Sequence, residues 1–183
     1  MLARPLLVLA SLLVLAACAS TRAPDVGPAF ETPYVLDAGD KLRVVVYGQE
    51  GLSNSYAVDG AGKISMPLIG AVEARGRTTA QLGTAIGTRL RAGFVREPHV
   101  AVEVETHRPF FILGEITAAG QYAFVNGMTV ETAVAIAGGF SPRAFKSHAT
   151  VGRIIEGQTV HATVPISYPL RPGDTVTIEE RWF

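Results

Sequence analysis

One phrase occurs twice in this sequence, and it constrains the fold more than any other feature. Residues 34–46 read YVLDAGDKLRVVV, and residues 168–180 read YPLRPGDTVTIEE. Both fit Tyr-x-Leu-x-(Ala/Pro)-Gly-Asp-x-(Leu/Val)-x-(Val/Ile), with start points 134 positions apart. Glycine reaches backbone dihedrals closed to other residues, and an aspartate beside it can accept from nearby backbone N–H groups. The phrase therefore predicts a turn that launches a strand. After the first copy, Leu42, Val44 and Val46 alternate with Lys41, Arg43 and Val45, as in a half-buried strand. One copy near the start and one near the end predict an opening strand for one domain and a closing strand for another.

The first 20 residues, MLARPLLVLASLLVLAACAS, carry one cation, Arg4, and then an uncharged run of 12 residues from Leu6 to Ala17. A membrane-spanning helix needs about 17–25 residues, so the run fits a signal-peptide core instead. Its ending, Leu15-Ala16-Ala17-Cys18, resembles the bacterial lipobox, in which the cysteine is lipidated and becomes the new N-terminus. Cys18 is the single cysteine, which excludes an intrachain disulfide. Residues 1–17 are expected to be a cleaved signal peptide, and Cys18 to be the lipidation site that holds the protein to a membrane. Ala19 and Ser20 follow, where an aspartate would favour the inner membrane, so the expected location is the outer membrane, facing the periplasm. Residues 18–33, with three prolines and no apolar period, read as a lipidated N-terminus and flexible tether. The whole chain has 16 basic and 16 acidic residues, which argues against nucleic-acid binding.

The periodicity beyond the tether predicts an α+β chain of two small β-rich domains, residues 34–106 and 107–183. In the first, short strands break at Asp59-Gly60 and Gly62. Thr78-Thr79-Ala80-Gln81 fits a capping box, and Leu82, Ile86 and Leu90 recur at helical spacing. Gly83 and Gly87 cost this helix about 1 kcal/mol each relative to alanine, which close packing on a sheet can offset. Val100, Val102 and Val104 form one face of a strand, with Ala101, Glu103 and Glu105 on the other. In the second domain, two strands joined through Ala118-Ala119-Gly120 precede a short helix with Thr129 as N-cap and an apolar stripe of Val130, Ala133, Val134 and Ala137. A hairpin turning at Glu156-Gly157 and a last strand follow, and strand–strand–helix–strand–strand–strand is a β-grasp order.

No catalytic constellation emerges. Gly60-Ala61-Gly62-Lys63 has the wrong glycine spacing for a phosphate loop, with Ile64 where Ser or Thr belongs, and reads as a hairpin turn. His99, His107, His148 and His161 show no metal-ligand spacing. Asp40 with Asp174 as an acid–base pair, and Glu103 with Glu105 as a glycosidase pair, are both better explained by turn chemistry and a solvated strand face. Arg143, Lys146 and His148 form a basic loop that can meet an anionic glycan, although ordinary solvation explains it. No catalytic, metal or cofactor residues are predicted, and ligand-binding residues stay unassigned.

Several stretches together resemble the outer-membrane polysaccharide export lipoproteins of Gram-negative bacteria. YVLDAGDKLRVVVYG, GKISMPLIGAVEARGRTTAQL and EPHVAVEV are similar to that family's polysaccharide export domain. The Gly-x-Ile-x-Met-Pro-Leu-Ile-Gly run from Gly62 to Gly70 is the most specific element. ILGEITAAGQYAF, GMTVETAVAIAGGF and LRPGDTVTI are similar to a soluble-ligand-binding β-grasp domain. The resemblance covers residues 31–180 in order. It implies a homo-oligomeric, ring-shaped periplasmic conduit for capsular or exopolysaccharide, docked to an inner-membrane polysaccharide co-polymerase or chain-length regulator. A monomeric periplasmic glycan- or ligand-binding lipoprotein is the alternative. Larger members of the family continue into an amphipathic helix that crosses the outer membrane. Here nine residues follow Asp174, against about 20 for a spanning helix. The expectation is a periplasmic collar in its short form, with Trp182 and Phe183 capping the β-grasp core and a separate β-barrel providing the pore.

Overall fold

The computed structural model describes residues 33–155 and 157–181. Cys18, the signal segment, nearly all of the tether, Trp182 and Phe183 lie outside the described residues.

Ten strands and two α-helices follow in order: β1 (Lys41–Val46), β2 (Asn54–Ala57), β3 (Lys63–Met66), β4 (Gly70–Glu73), α1 (Thr79–Arg91), β5 (Val100–Thr106), β6 (Phe110–Gly114), β7 (Gly120–Tyr122), α2 (Val130–Ile136), β8 (His148–Ile155), β9 (Gln158–Pro165) and β10 (Thr175–Ile178). The chain is α+β, as its periodicity predicts. Residues up to Thr106 build an antiparallel sheet in the order β2-β1-β5 and a separate hairpin, β3-β4. The turn at Gly60–Lys63 is therefore no hairpin turn. It carries the chain from one sheet to the other, closed by Asp59, whose carboxylate accepts from the Lys63 N–H at 2.8 Å. Ile64 and Met66 are buried on one side of β3, and pairing with β4 extends that apolar face across Val72.

Leu42, Val44 and Val46 point inward from β1 and meet Leu82, Ile86 and Leu90 of α1 in one buried cluster. Burying each of these α1 side chains contributes about 1.5–3 kcal/mol, which outweighs the cost of the two helical glycines. Those glycines have a packing reason. A Cβ on Gly83 would sit 3.3 Å from the Val100 carbonyl oxygen, so the helix approaches the β5 backbone directly. The Thr78 hydroxyl accepts from Gln81 N–H, and the Gln81 side chain accepts from Thr78 N–H, which completes the capping box.

From Phe110 onward one five-stranded sheet forms in the order β7-β6-β10-β8-β9, with β10 parallel to β6 between them and β8. Numbered within this unit the order is 2-1-5-3-4, the β-grasp arrangement. Val130, Ala133 and Val134 of α2, with Ala137 after it, are buried against Phe110, Ile112, Val151, Val176 and Ile178 in a second cluster. Gly114 makes the close crossing possible. Its φ is +87°, and a Cβ there would lie 2.1 Å from the Ile178 carbonyl oxygen.

Candidate functional site

The two copies of the repeated phrase fold alike. Gly39 and Gly173 have φ of +92° and +86°, and each hands the chain directly into a strand, β1 or β10. The following aspartates, Asp40 and Asp174, are 0% and 1% exposed. Asp40 accepts from the Asp37 N–H at 2.9 Å, and Asp174 from the Arg171 N–H at 2.7 Å, the same step of three residues back. Sequence reasoning anticipated the strand-launching turn and an aspartate that accepts from nearby backbone N–H groups, but not the burial of either aspartate or the shared three-residue step.

It did not anticipate the arginines. A fully buried carboxylate needs a counter-charge, because its desolvation cost otherwise exceeds what backbone donors return. Arg108 serves Asp40: its N–H donates to Oδ1 at 2.9 Å, and its guanidinium lies 3.3 Å from Oδ2. Arg153 serves Asp174 with a two-pronged contact, Nε to Oδ1 at 2.9 Å and a terminal nitrogen to Oδ2 at 2.7 Å. A tyrosine six positions before each aspartate completes the set. Tyr34 donates to Asp40 at 2.6 Å and accepts from Arg108 at 2.9 Å. Tyr168 lies 3.3 Å from the Arg153 guanidinium. Each arginine also stands over its tyrosine ring, at 5.7 Å for Arg108 and 5.6 Å for Arg153, the cation–π distance. The tyrosines were visible in the phrase itself. The arginines occupy unrelated positions, one 68 residues after its aspartate and the other 21 before it, so no spacing rule reveals them.

These groups shape the titration behaviour around them. Burial, reinforced by the hydrogen bond to Asp40, pushes the Tyr34 phenol far above its ordinary value. Burial works to raise the Asp37 carboxyl, but the Arg75 hydrogen bond, the Ala38 N–H and the Arg108 charge hold it below its ordinary value. Burial also resists the Arg153 charge, yet the Asp174 contact raises its affinity for the proton. At Arg171 burial and the neighbouring Arg153 cation act in the same direction, and its pKa is lowered. His107, edge-on to Tyr34 at 4.7 Å and to Phe124 at 5.6 Å, is lowered chiefly by burial.

These residues border a cleft of about 740 Å³, lined by residues from both sides of the linker between β5 and β6. Arg75, Arg108, Arg153 and Arg171 all line it, with Asp37 and Asp174 as its acidic members among the described residues. Arg75 reaches across to Asp37 at 2.7 Å. Tyr34, Phe124 and Leu170 form part of the walls, and Val35, Ile154 and Ile155 are apolar side chains left exposed at its margin.

Asp40 and Asp174 are each committed to a separate arginine, so they do not form an acid–base pair. Glu105 of β5 pairs with Lys41 at 3.4 Å, and Glu103 stands opposite Arg43 in the β1–β5 register. Arg143 is held by Glu180, and His148 by Ser147 at 3.0 Å. That basic loop lies away from the cleft. Among the described residues no cluster of His, Cys, Asp or Glu is arranged to hold a metal ion. No helix among them is long and apolar enough to cross a membrane.

Residues 28–105 match the model of the polysaccharide biosynthesis/export protein family, a span that ends just before Arg108 and includes the first Gly-Asp turn. Over that span the chain is similar to polysaccharide biosynthesis/export proteins. It is 31% identical over 118 residues to the exopolysaccharide production protein ExoF of Rhizobium meliloti, covering 58% of this chain and 28% of ExoF. It is 24% identical over 115 residues to the polysialic acid transport protein KpsD of Escherichia coli, covering 62% of this chain and 21% of KpsD. The alignments thus span roughly a quarter of these export-family relatives.

Proposed function

We propose that this chain is a lipid-anchored, periplasm-facing outer-membrane protein that assembles into a ring through which capsular or exopolysaccharide passes. The observation that carries the reading is the family match over residues 28–105, with the first Gly-Asp turn inside it. Sequence similarity to an exopolysaccharide production protein and to a polysialic acid transport protein supports the same substrate class. In this reading residues 34–106 are the polysaccharide export domain and residues 107–183 a ligand-binding β-grasp domain. Cys18 carries the lipid. An inner-membrane co-polymerase or chain-length regulator feeds the ring, and a separate β-barrel continues the path outward. The protein handles a polymer without cutting it. Support for self-association comes from two small cores of the kind that gain by burial between subunits.

A strain deleted for this chain, stained for surface polysaccharide, tests the reading together with native mass spectrometry of the detergent-purified protein. Loss of surface polysaccharide and a closed cyclic assembly are expected. The alternative, a monomeric glycan-binding lipoprotein, draws on the cleft, which a single chain forms by itself. A strict monomer with unchanged surface polysaccharide would favour it.

A further inference from the structure

We propose that Leu68 is the knob of a contact between copies of this chain, seated against the apolar margin of the next copy's cleft. The proposal deepens the ring reading and rests on it for the choice of a second copy.

Gly62 to Gly70 is the most specific stretch of the sequence, and packing within the chain accounts for its glycines and its large aliphatic residues, with one exception. A Cβ on Gly62 would lie 2.5 Å from Arg75 Cβ. Ile64 and Met66 are buried, Ile69 packs against the same cluster, and Gly70 holds a φ of +66° as the chain enters β4. Leu68 is the exception. Its φ is +69°, and it is the one non-glycine residue with positive φ among the described residues. It is also 59% exposed. The Ile69 N–H donates across it to the Pro67 carbonyl at 2.9 Å, which makes Leu68 the centre of a γ-turn of the rare, strained hand. Bulky side chains avoid this conformation, whereas glycine adopts it freely. A strained backbone that holds an apolar side chain in water gains little burial from its own chain, so its purpose lies in a contact outside it.

The rest of the tip narrows the choice of partner. No charged residue occurs from Ser65 to Val72, so the tip suits an apolar surface and not a charged headgroup or an acidic glycan. The cleft supplies such a surface at its margin, where Val35, Ile154 and Ile155 are left exposed. Its volume, about 740 Å³, falls in the range of sites for drug-sized molecules, about 300–1,000 Å³, and a three-residue turn is an object of that size. A chain cannot fill its own cleft this way. The base of the β3–β4 hairpin is fastened beside the cleft: the Arg75 guanidinium donates to the Gly60 carbonyl at 3.0 Å, and the Arg75 N–H to the Gly62 carbonyl at 2.9 Å. Leu68 lies at the other end, beyond the paired residues from Lys63 with Glu73 to Met66 with Gly70, each advancing the strand by about 3.3 Å. Knob and socket therefore face different neighbours. Unlike surfaces at opposite ends make a head-to-tail contact, the kind that closes into rings.

The test is cross-linking of the full chain in detergent with a short bis-maleimide, using Leu68→Cys and Ile154→Cys, with wild type, whose one cysteine is Cys18, as the control. The double variant should give a ladder of multimers, since each copy then links at both ends. An equimolar mixture of the two single variants should stop at dimers. Dimers from Leu68→Cys alone would mean that knob meets knob, and would overturn the head-to-tail contact. Leu68→Gly removes the side chain and relieves the backbone. It should melt no lower than wild type, yet weaken assembly by about tenfold or more in analytical ultracentrifugation, the worth of one buried leucine. Ile136→Ala, at an exposed position of α2, should assemble as wild type does. A Leu68→Gly variant that melts well below wild type places Leu68 in its own chain's packing and sinks the knob. No ladder, or assembly unchanged in Leu68→Gly, overturns the proposal, and a wild-type ring in the same preparations leaves the export reading standing. Normal assembly of Leu68→Gly with loss of surface polysaccharide hands the knob to a different partner and also overturns the self-contact. A ladder from the double variant, with surface polysaccharide unaffected by deletion, keeps the contact and sinks the conduit.

Discussion

Arg108 grips Asp40 twice, with its main-chain N–H at 2.9 Å and its guanidinium at 3.3 Å. It also lies against the second Gly-Asp turn: a Cβ on Gly173 would come within 2.8 Å of Arg108 Nε, and one on Gly39 within 3.3 Å of Arg108 Cβ. Arg108 sits in the three residues between β5 and β6. The linker between the sheets is thus clamped from both sides by the two copies of one phrase. The Gly173 N–H donates to the Pro109 carbonyl at 3.0 Å, which fastens the second turn to the same segment. The repeat therefore organises the junction as well as opening and closing strands.

The buried pairs should dominate the stability of this region. Arg153→Met leaves Asp174 buried without its counter-charge and should cost about 3–5 kcal/mol. Arg75→Gln breaks the Asp37 pair, whose side chains are 51% and 36% exposed, and should cost less than about 1 kcal/mol. Urea unfolding of the two variants checks the ordering. Similar losses would show that the buried pair is not special.

Gly114→Ala should be among the most damaging small substitutions. Its Cβ would collide with the Ile178 carbonyl oxygen in addition to the left-handed backbone at φ +87°, so a loss of about 3 kcal/mol or more is expected. Gly127→Ala shares the positive φ, +80°, but meets nothing within 4 Å. It should cost only about 1–2 kcal/mol. Thermal melts of both variants separate the steric part from the backbone part.

His107 gives a pH signature with a defined sign. Burial lowers its folded-state pKa from the ordinary 6.5, so the unfolded chain takes up the proton first as pH falls. Stability should be full above about pH 6.5 and decline below it until the folded protein also protonates. His107→Phe keeps an aromatic ring against Tyr34 and Phe124 and removes the titration. The difference in unfolding free energy between wild type and variant, followed from pH 7.5 to 5, should change by an amount that vanishes if His107 does not titrate differently in the two states.

Removing a helix cap tests the local reading of both units. Thr78→Ala and Thr129→Ala each delete the side-chain acceptor for an N3 backbone N–H, Gln81 or Thr132. Each should lose about 1 kcal/mol, measured by chemical denaturation, with serine restoring most of it.

Cys18→Ala should abolish fatty-acid labelling and leave an uncleaved precursor. Normal labelling of that variant in cells fed a radiolabelled fatty acid would rule out Cys18 as the anchor.

Local chemistry wrote much of this fold into the sequence. Alternation marked β1 and β5, the Thr78–Gln81 and Thr129 caps marked both helices, and the element order after Phe110 announced a β-grasp unit, because each depends on residues a few positions apart. The same locality made the Gly-Asp turns legible as strand-launching turns with an aspartate able to accept from nearby N–H groups; the structure supplies the donors, each three residues back. What pairs with what was decided in three dimensions. The turn at Gly60–Lys63 looked like a hairpin, but Ile64 and Met66 are buried by pairing β3 with β4, so the chain changes sheet there. Arg108 and Arg153 became partners of Asp40 and Asp174 only because buried carboxylates demand counter-charge and the fold brought these two within reach. The cleft followed from that choice: it exists where two units, each readable alone, present their turns and arginines to each other, and contact across a fold has no fixed sequence spacing.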